Sequence, residues 1–102
     1  MRKLVIGITT FLLSGISLQE PAYSVTATIP NPTVDGYALD YCREWTVNCG
    51  QLAADAYCQA TGYDYAYSYE VTYNSPPTKT IGDERICNAS FCDRISSVTC
   101  VR

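Results

Sequence analysis

Tyrosine, with one valine, alternates with small, polar or charged residues without a break from Tyr63 to Tyr73. Tyr63, Tyr65, Tyr67, Tyr69, Val71 and Tyr73 fall on one side, and Asp64, Ala66, Ser68, Glu70 and Thr72 on the other. A period of two is the mark of a β-strand with one face turned to a core. The preceding stretch has a different rhythm. Cys49, Leu52, Ala53, Ala56, Tyr57 and Ala60 recur at helical spacing, with Gln51, Asp55 and Gln59 opposite and Cys58 on the flank. The pattern predicts a helix over residues 49–61. Its end signals agree: Asn48 as N-cap with Gln51 three residues on, Val47 and Leu52 as a hydrophobic staple, Gly62 as the C′ residue and Tyr63 at C″ facing Cys58.

Shorter elements flank this unit. Alternation at residues 37–42 (YALDYC) reads as a strand, and residues 43–47 as a connector carrying Trp45, the one tryptophan. Residues 74–77 (NSPP) end the long strand. Short strands are expected at 78–81, 84–87 and 95–101, with a Gly82-Asp83 turn and a tight connection from Cys87 to Cys92. Residues 25–36 contain Pro30 and Pro32, which disfavour a regular ladder, and read as an extended, loosely held N-terminal arm. The order predicts one small α+β domain over residues 37–102, with a helix packed on an antiparallel β-sheet.

The first residues have another purpose. Met1-Arg2-Lys3, an apolar run over residues 4–18 interrupted by Gly and hydroxyl residues, and Ala22-Tyr23-Ser24 form the layout of a secretory signal peptide, residues 1–24, cleaved after Ser24. The run falls short of the roughly 20 apolar residues that a spanning helix needs, so no membrane span is expected once the signal is removed. The 78 residues that follow hold all six cysteines: Cys42, Cys49, Cys58, Cys87, Cys92 and Cys100. An even count in a short exported chain predicts three disulfides and a secreted or periplasmic location.

The helix restricts their pairing. Nine residues of helix separate Cys49 from Cys58 by about 13 Å of rise, beyond the roughly 7 Å between Cα atoms that a disulfide spans. Cys87 and Cys92 flank a turn and are expected to pair. Cys42–Cys58 with Cys49–Cys100 is then preferred, because Cys49 shares the sheet-facing side of the helix; Cys42–Cys49 with Cys58–Cys100 is the alternative.

Composition narrows the chemistry. No histidine is present, which removes Ser-His and Cys-His nucleophile systems and the usual zinc patterns. Beyond residue 24 the chain carries five basic and nine acidic residues, a net of −4, which disfavours nucleic acid as a partner. No metal or cofactor is expected. Asp83, Glu84 and Asp93 lack the spacing of a calcium loop. Asn88-Ala89-Ser90 is a glycosylation sequon inside the expected Cys87–Cys92 ring, a poor place for modification.

What remains is the aromatic surplus. Tyrosine and tryptophan offer flat apolar faces with polar tips, suited to partly wet recognition surfaces. A helix of 13 residues spans about 20 Å and an 11-residue strand about 36 Å, so the helix covers only part of the tyrosine face. Tyr63 and Tyr65 should pack under it, leaving the far end open. The expected function is a non-catalytic binding module for a saccharide or an extracellular protein, using Trp45, Tyr67, Tyr69 and Tyr73. One alternative is a structural or inhibitory extracellular or envelope protein. Another is a hydrolase using Glu44 with Asp40 or Asp55, which requires two carboxylates roughly 5–10 Å apart in a cleft.

Overall fold

The computed structural model describes residues 25–102; residues 1–24, read from the sequence as a signal peptide, and the expected cleavage after Ser24 lie outside the described residues. The elements in chain order are β1 (Thr26–Pro30), β2 (Thr33–Val34), β3 (Tyr37–Leu39), β4 (Cys42–Glu44), β5 (Val47–Cys49), α1 (Gln51–Ala60), β6 (Tyr65–Thr72), β7 (Thr78–Lys79), β8 (Ile86–Cys87) and β9 (Arg94–Val101). They form a small disulfide-rich α+β fold. One sheet has the order β1-β9-β6, a second β8-β7-β3-β2, and β4-β5 is a separate hairpin. All pairings are antiparallel except the two-residue contact of β3 with β7.

Leu39, Ala53, Ala54, Cys58, Ala66, Ile95, Val98 and Cys100 make the core. Its helical contribution is small side chains plus one sulfur, so α1 lies close to β6 and β9. The Cys58–Cys100 disulfide passes through the middle of this cluster. The two other bonds are Cys42–Cys49 and Cys87–Cys92. The preferred pairing of Cys42 with Cys58 is therefore wrong and the alternative is right. Three disulfides place the folded chain in an oxidising, extracellular-type compartment. Among the described residues no helix is long and apolar enough to cross a membrane.

The reason for the wrong pairing is where the helix starts. Its N-cap is Gly50 (φ 77°), with no side-chain capping bond, two residues later than expected. Cys49 belongs to β5 and stands opposite Cys42 in the hairpin register. Asn48 adopts the left-handed region (φ 57°) and donates from Nδ2 to Glu44 Oε1 at 2.7 Å, so it caps nothing. Val47 and Leu52 are both exposed, and no staple forms. The buried helical face is Ala53, Ala54 and Cys58, rotated from the expected one.

The C-terminus of α1 matches its signals. Tyr63 N–H donates to the Cys58 carbonyl (2.8 Å) and Gly62 N–H to that of Gln59 (3.2 Å), with Gly62 at φ 97°. This is the Schellman pattern, which satisfies two carbonyls the helix leaves open. The polar face has a purpose as well. Gln51 Nε2 donates to the Ala66 carbonyl, and Asp55 Oδ1 accepts from Ala66 N–H, each at 2.8 Å. β6 is an edge strand, and these side chains occupy backbone groups that would otherwise be open to another strand.

Two bulges break the alternation. On β6, Ala66 pairs with Cys100 and Ser68 with Thr99, leaving Tyr67 as the extra residue; on β9, Ile95 pairs with Val71 and Ser97 with Glu70, leaving Ser96 over. Each extra residue swaps inward for outward beyond it. Ala66 is thus buried while Tyr65 and Tyr67 face solvent, and beyond the bulge Tyr69 packs on the core. Tyr63 does pack against the core under the helix end; Tyr65 does not.

Residues 25–36 are better ordered than an arm. β1 pairs with β9 from Thr26↔Val101 to Pro30↔Ser97. β1 is an outer strand with Pro30 at its end, a place where a missing N–H is tolerated. Pro32 is fully buried.

Candidate functional site

Two small cystine rings contribute to one cleft. The Cys42–Cys49 bond closes the β4–β5 hairpin, whose Glu44↔Val47 pair leaves Trp45 and Thr46 as a two-residue turn. Thr46 sits at φ 62°, strained for a β-branched side chain. The Cys87–Cys92 bond closes the second ring, which carries Phe91. Residues of both rings line a cleft of about 260 Å³: Tyr41, Cys42, Trp45 and Thr46 from in and beside the first, Cys87, Phe91 and Cys92 from the second, with Asp40 and Asp93 beside them.

The hairpin is held against residues 80–85 by polar contacts. Trp45 N–H donates to Asp83 Oδ2 (3.2 Å), Gly82 N–H donates to the Arg43 carbonyl (2.7 Å), and the Arg85 guanidinium lies 4.6 Å over the Trp45 ring. The Thr80 hydroxyl donates to Asp83 Oδ1 and accepts from Arg85 N–H. Asp83 is held below the usual carboxylate range, chiefly by the Thr80 hydroxyl. Glu44 is likewise lowered, chiefly by the Asn48 amide and then by Arg43. Gly82 is the contact point of the two segments, since a Cβ there would lie 2.1 Å from Glu44 Oε2 and 2.8 Å from the Arg43 carbonyl.

Of the four expected ligand-binding residues, only Trp45 lines this cleft. Tyr73 is exposed and Tyr69 is partly buried against the core. Tyr69 and Tyr41 direct their hydroxyls toward Gly50. Burial raises the Tyr69 phenol, with smaller contributions from Tyr41 and Tyr73. Tyr41 therefore links the cleft to the Tyr69–Tyr73 group. Tyr67, 74% exposed at the β6 bulge, is apart from that set.

The carboxylates named for hydrolysis do not line the cleft together. Glu44 is bound by Arg43 and Asn48, and Asp55 by Gln51 and Ala66 N–H. Only Asp40 lines the cleft, and it is 93% buried, accepting from the Thr78 hydroxyl and from Cys42 N–H at 2.9 Å. Among the described residues no three metal-ligating side chains come together. The sequon residue Asn88 is exposed on the Cys87–Cys92 ring.

Phe91 and Tyr41 are cleft residues that sequence reasoning missed, and Asp93 entered it only as a rejected calcium ligand. Phe91 had a readable signal: an aromatic inside a ring closed across five residues has no interior to enter, and it is 62% exposed. Comparison of the chain with protein-family models, curated proteins and solved structures finds no match.

Proposed function

We propose that the protein is a secreted, non-catalytic binding domain that recognises a neutral saccharide in the Trp45–Phe91 cleft. The observation that carries this reading is that two aromatic side chains, each on its own cystine ring, line one cleft. Aromatic faces stack on the C–H faces of sugar rings, and a carboxylate beside them accepts sugar hydroxyls. Asp93 can serve in that second capacity: its Oδ1 accepts from Asn74 N–H, and among the described residues Oδ2 has no partner. Two aspartates on the cleft and a net charge of −4 beyond residue 24 argue for a neutral ligand over an anionic one. Rings cross-linked before binding lose little freedom when the ligand arrives, which favours affinity from a small surface.

Trp45 is the sole tryptophan, so its emission reports the cleft directly. Titrating the oxidised protein with oligosaccharides chosen from a glycan array should give a saturable change in emission. Phe91→Ala should weaken that response at least tenfold with the fold intact, and Trp45→Ala should remove array binding. A blank array together with unchanged emission would count decisively against a saccharide.

Inhibition of an extracellular protein is a second reading, favoured by one feature. The hairpin tip presents Thr46, Val47 and Asn48 to solvent on a cross-linked loop. A panel of secreted proteases assayed with the wild-type protein and with Val47→Asp separates the two readings, because Val47 does not line the cleft.

A further inference from the structure

Arg94 opens β9 directly after Asp93, and the two residues serve opposite sides of the chain. Asp93 lines the Trp45 cleft, whereas Arg94 lines a second cleft of about 320 Å³ with Asn31, Thr33, Tyr37 and Pro77. Five cationic side chains lie in the described residues. Arg43 pairs with Glu44, Lys79 with Asp35, Arg85 covers Trp45 and Arg102 covers Tyr63. Arg94 alone among them has no ion pair and no aromatic face, and its Nε is buried with no hydrogen-bond partner. A buried donor without an acceptor is destabilising, and native proteins keep few of them. With nine carboxylates available in this stretch, none is used to answer this charge.

We propose that the Arg94 cleft binds the carboxylate of a small acidic ligand, a site independent of the saccharide reading. No acidic residue lines it, and its walls are amide, hydroxyl, phenol and apolar groups. A guanidinium presents a planar fork of N–H groups that fits a carboxylate with two parallel bonds. One unpaired positive charge matches a monoanion. A dianionic phosphate would leave excess negative charge on a chain that is already acidic.

The test follows the Arg94 Nε–Hε signal by NMR in the oxidised protein during titration with sodium acetate, sodium phosphate and sodium chloride at matched ionic strength. Acetate should move the signal along a saturating curve, phosphate should saturate only at higher concentration, and chloride should not saturate. Arg94→Lys keeps the charge but loses the fork, and should weaken acetate binding at least tenfold with Trp45 emission unchanged. If that variant does not fold, the wild-type curve decides alone. An acetate response indistinguishable from that of chloride overturns the site. Tighter binding of phosphate than of acetate overturns the carboxylate assignment. Both results leave the saccharide proposal standing, because that one is read at Trp45.

Discussion

In the half built from α1, β6 and β9, a disulfide runs through a core of fully buried side chains. In the half built from β4, β5 and residues 80–92, two disulfides close rings whose residues are mostly half-buried or exposed. The first half has apolar contacts that would pull it together without a cross-link. The second has almost none, and relies on cystines, left-handed residues and hydrogen bonds from side chain to backbone. A small domain has too little interior to bury every element. Here the interior goes to the helix and sheet, and the two cleft aromatics, Trp45 and Phe91, sit where covalent bonds replace packing. Aromatic side chains held outside a core are available to a ligand.

Removing the bonds one at a time tests this division most strongly. Loop-closure entropy assigns about 4 kcal/mol to the loop between Cys58 and Cys100 and about 2.5 kcal/mol to the one between Cys42 and Cys49. C58A/C100A also empties the centre of the core, so urea unfolding followed by far-UV circular dichroism should show the larger loss, near the whole stability of a domain this size. C42S/C49S should keep the helical signal while Trp45 emission shifts to the red. If the second variant loses its helix too, the halves are not separable.

Gly50 joins the halves, between Cys49 and the first turn of α1. A Cβ at this position would lie 2.7 Å from Tyr69 Oη and 3.3 Å from Tyr41 Oη, at φ 77°. Gly50→Ala combines that clash with a left-handed backbone, and should cost about 2 kcal/mol. Because Tyr69 belongs to the core and Tyr41 to the cleft, circular dichroism and Trp45 emission should lose stability together. A loss confined to one probe would show that the contact does not couple the two regions.

The same division governs what could be read from the chain. The end of α1 was legible because its signal is local: Gly62 allows positive φ, and Tyr63 two residues past the last turn supplies the closing bond. The strand after it was legible as a strand, but its faces were not. Bulges at Tyr67 and Ser96 arise from how two distant segments fit, and no alternation within one of them shows where a residue will be left over. Asn48 misled for a physical reason, since asparagine suits both an N-cap and a left-handed turn. Taking it as a cap moved Cys49 onto the helix and turned the disulfide preference the wrong way. Trp45 stood out by being alone, whereas its cleft needs Phe91, brought there from 46 residues away by contacts that leave no periodic trace.

Thr46 offers a smaller effect of opposite sign. Its φ of 62° costs a β-branched residue on the order of 1 kcal/mol, and asparagine tolerates that region better. Thr46→Asn should stabilise the hairpin by about 0.5–1 kcal/mol, seen as a higher urea midpoint by Trp45 emission. An unchanged midpoint would mean that the turn relaxes without help from the side chain.

The smallest effect is expected from pH, and it acts on the two halves at opposite ends of the scale. Glu44 and Asp83 hold the hairpin, and both are lowered in the folded protein, by the Asn48 amide and the Thr80 hydroxyl respectively. A lowered carboxylate contributes stability above its unfolded pKa, and that contribution is lost as pH falls through the folded value, so the window lies below about pH 4. Tyr57 and Tyr69 pack on the core, and burial raises both phenols. Their contribution is complete below the unfolded phenol pKa of about 10 and is lost as pH rises through the folded values. Acid should therefore change Trp45 emission before it changes the circular dichroism of the helix, and Asp83→Asn should flatten that acid step. Alkali should act on the helix signal first, with Tyr69→Phe removing part of the loss. Should both probes titrate together at both ends, the hairpin and the core form one cooperative unit, and Trp45 and Phe91 owe their position to the whole fold rather than to their rings.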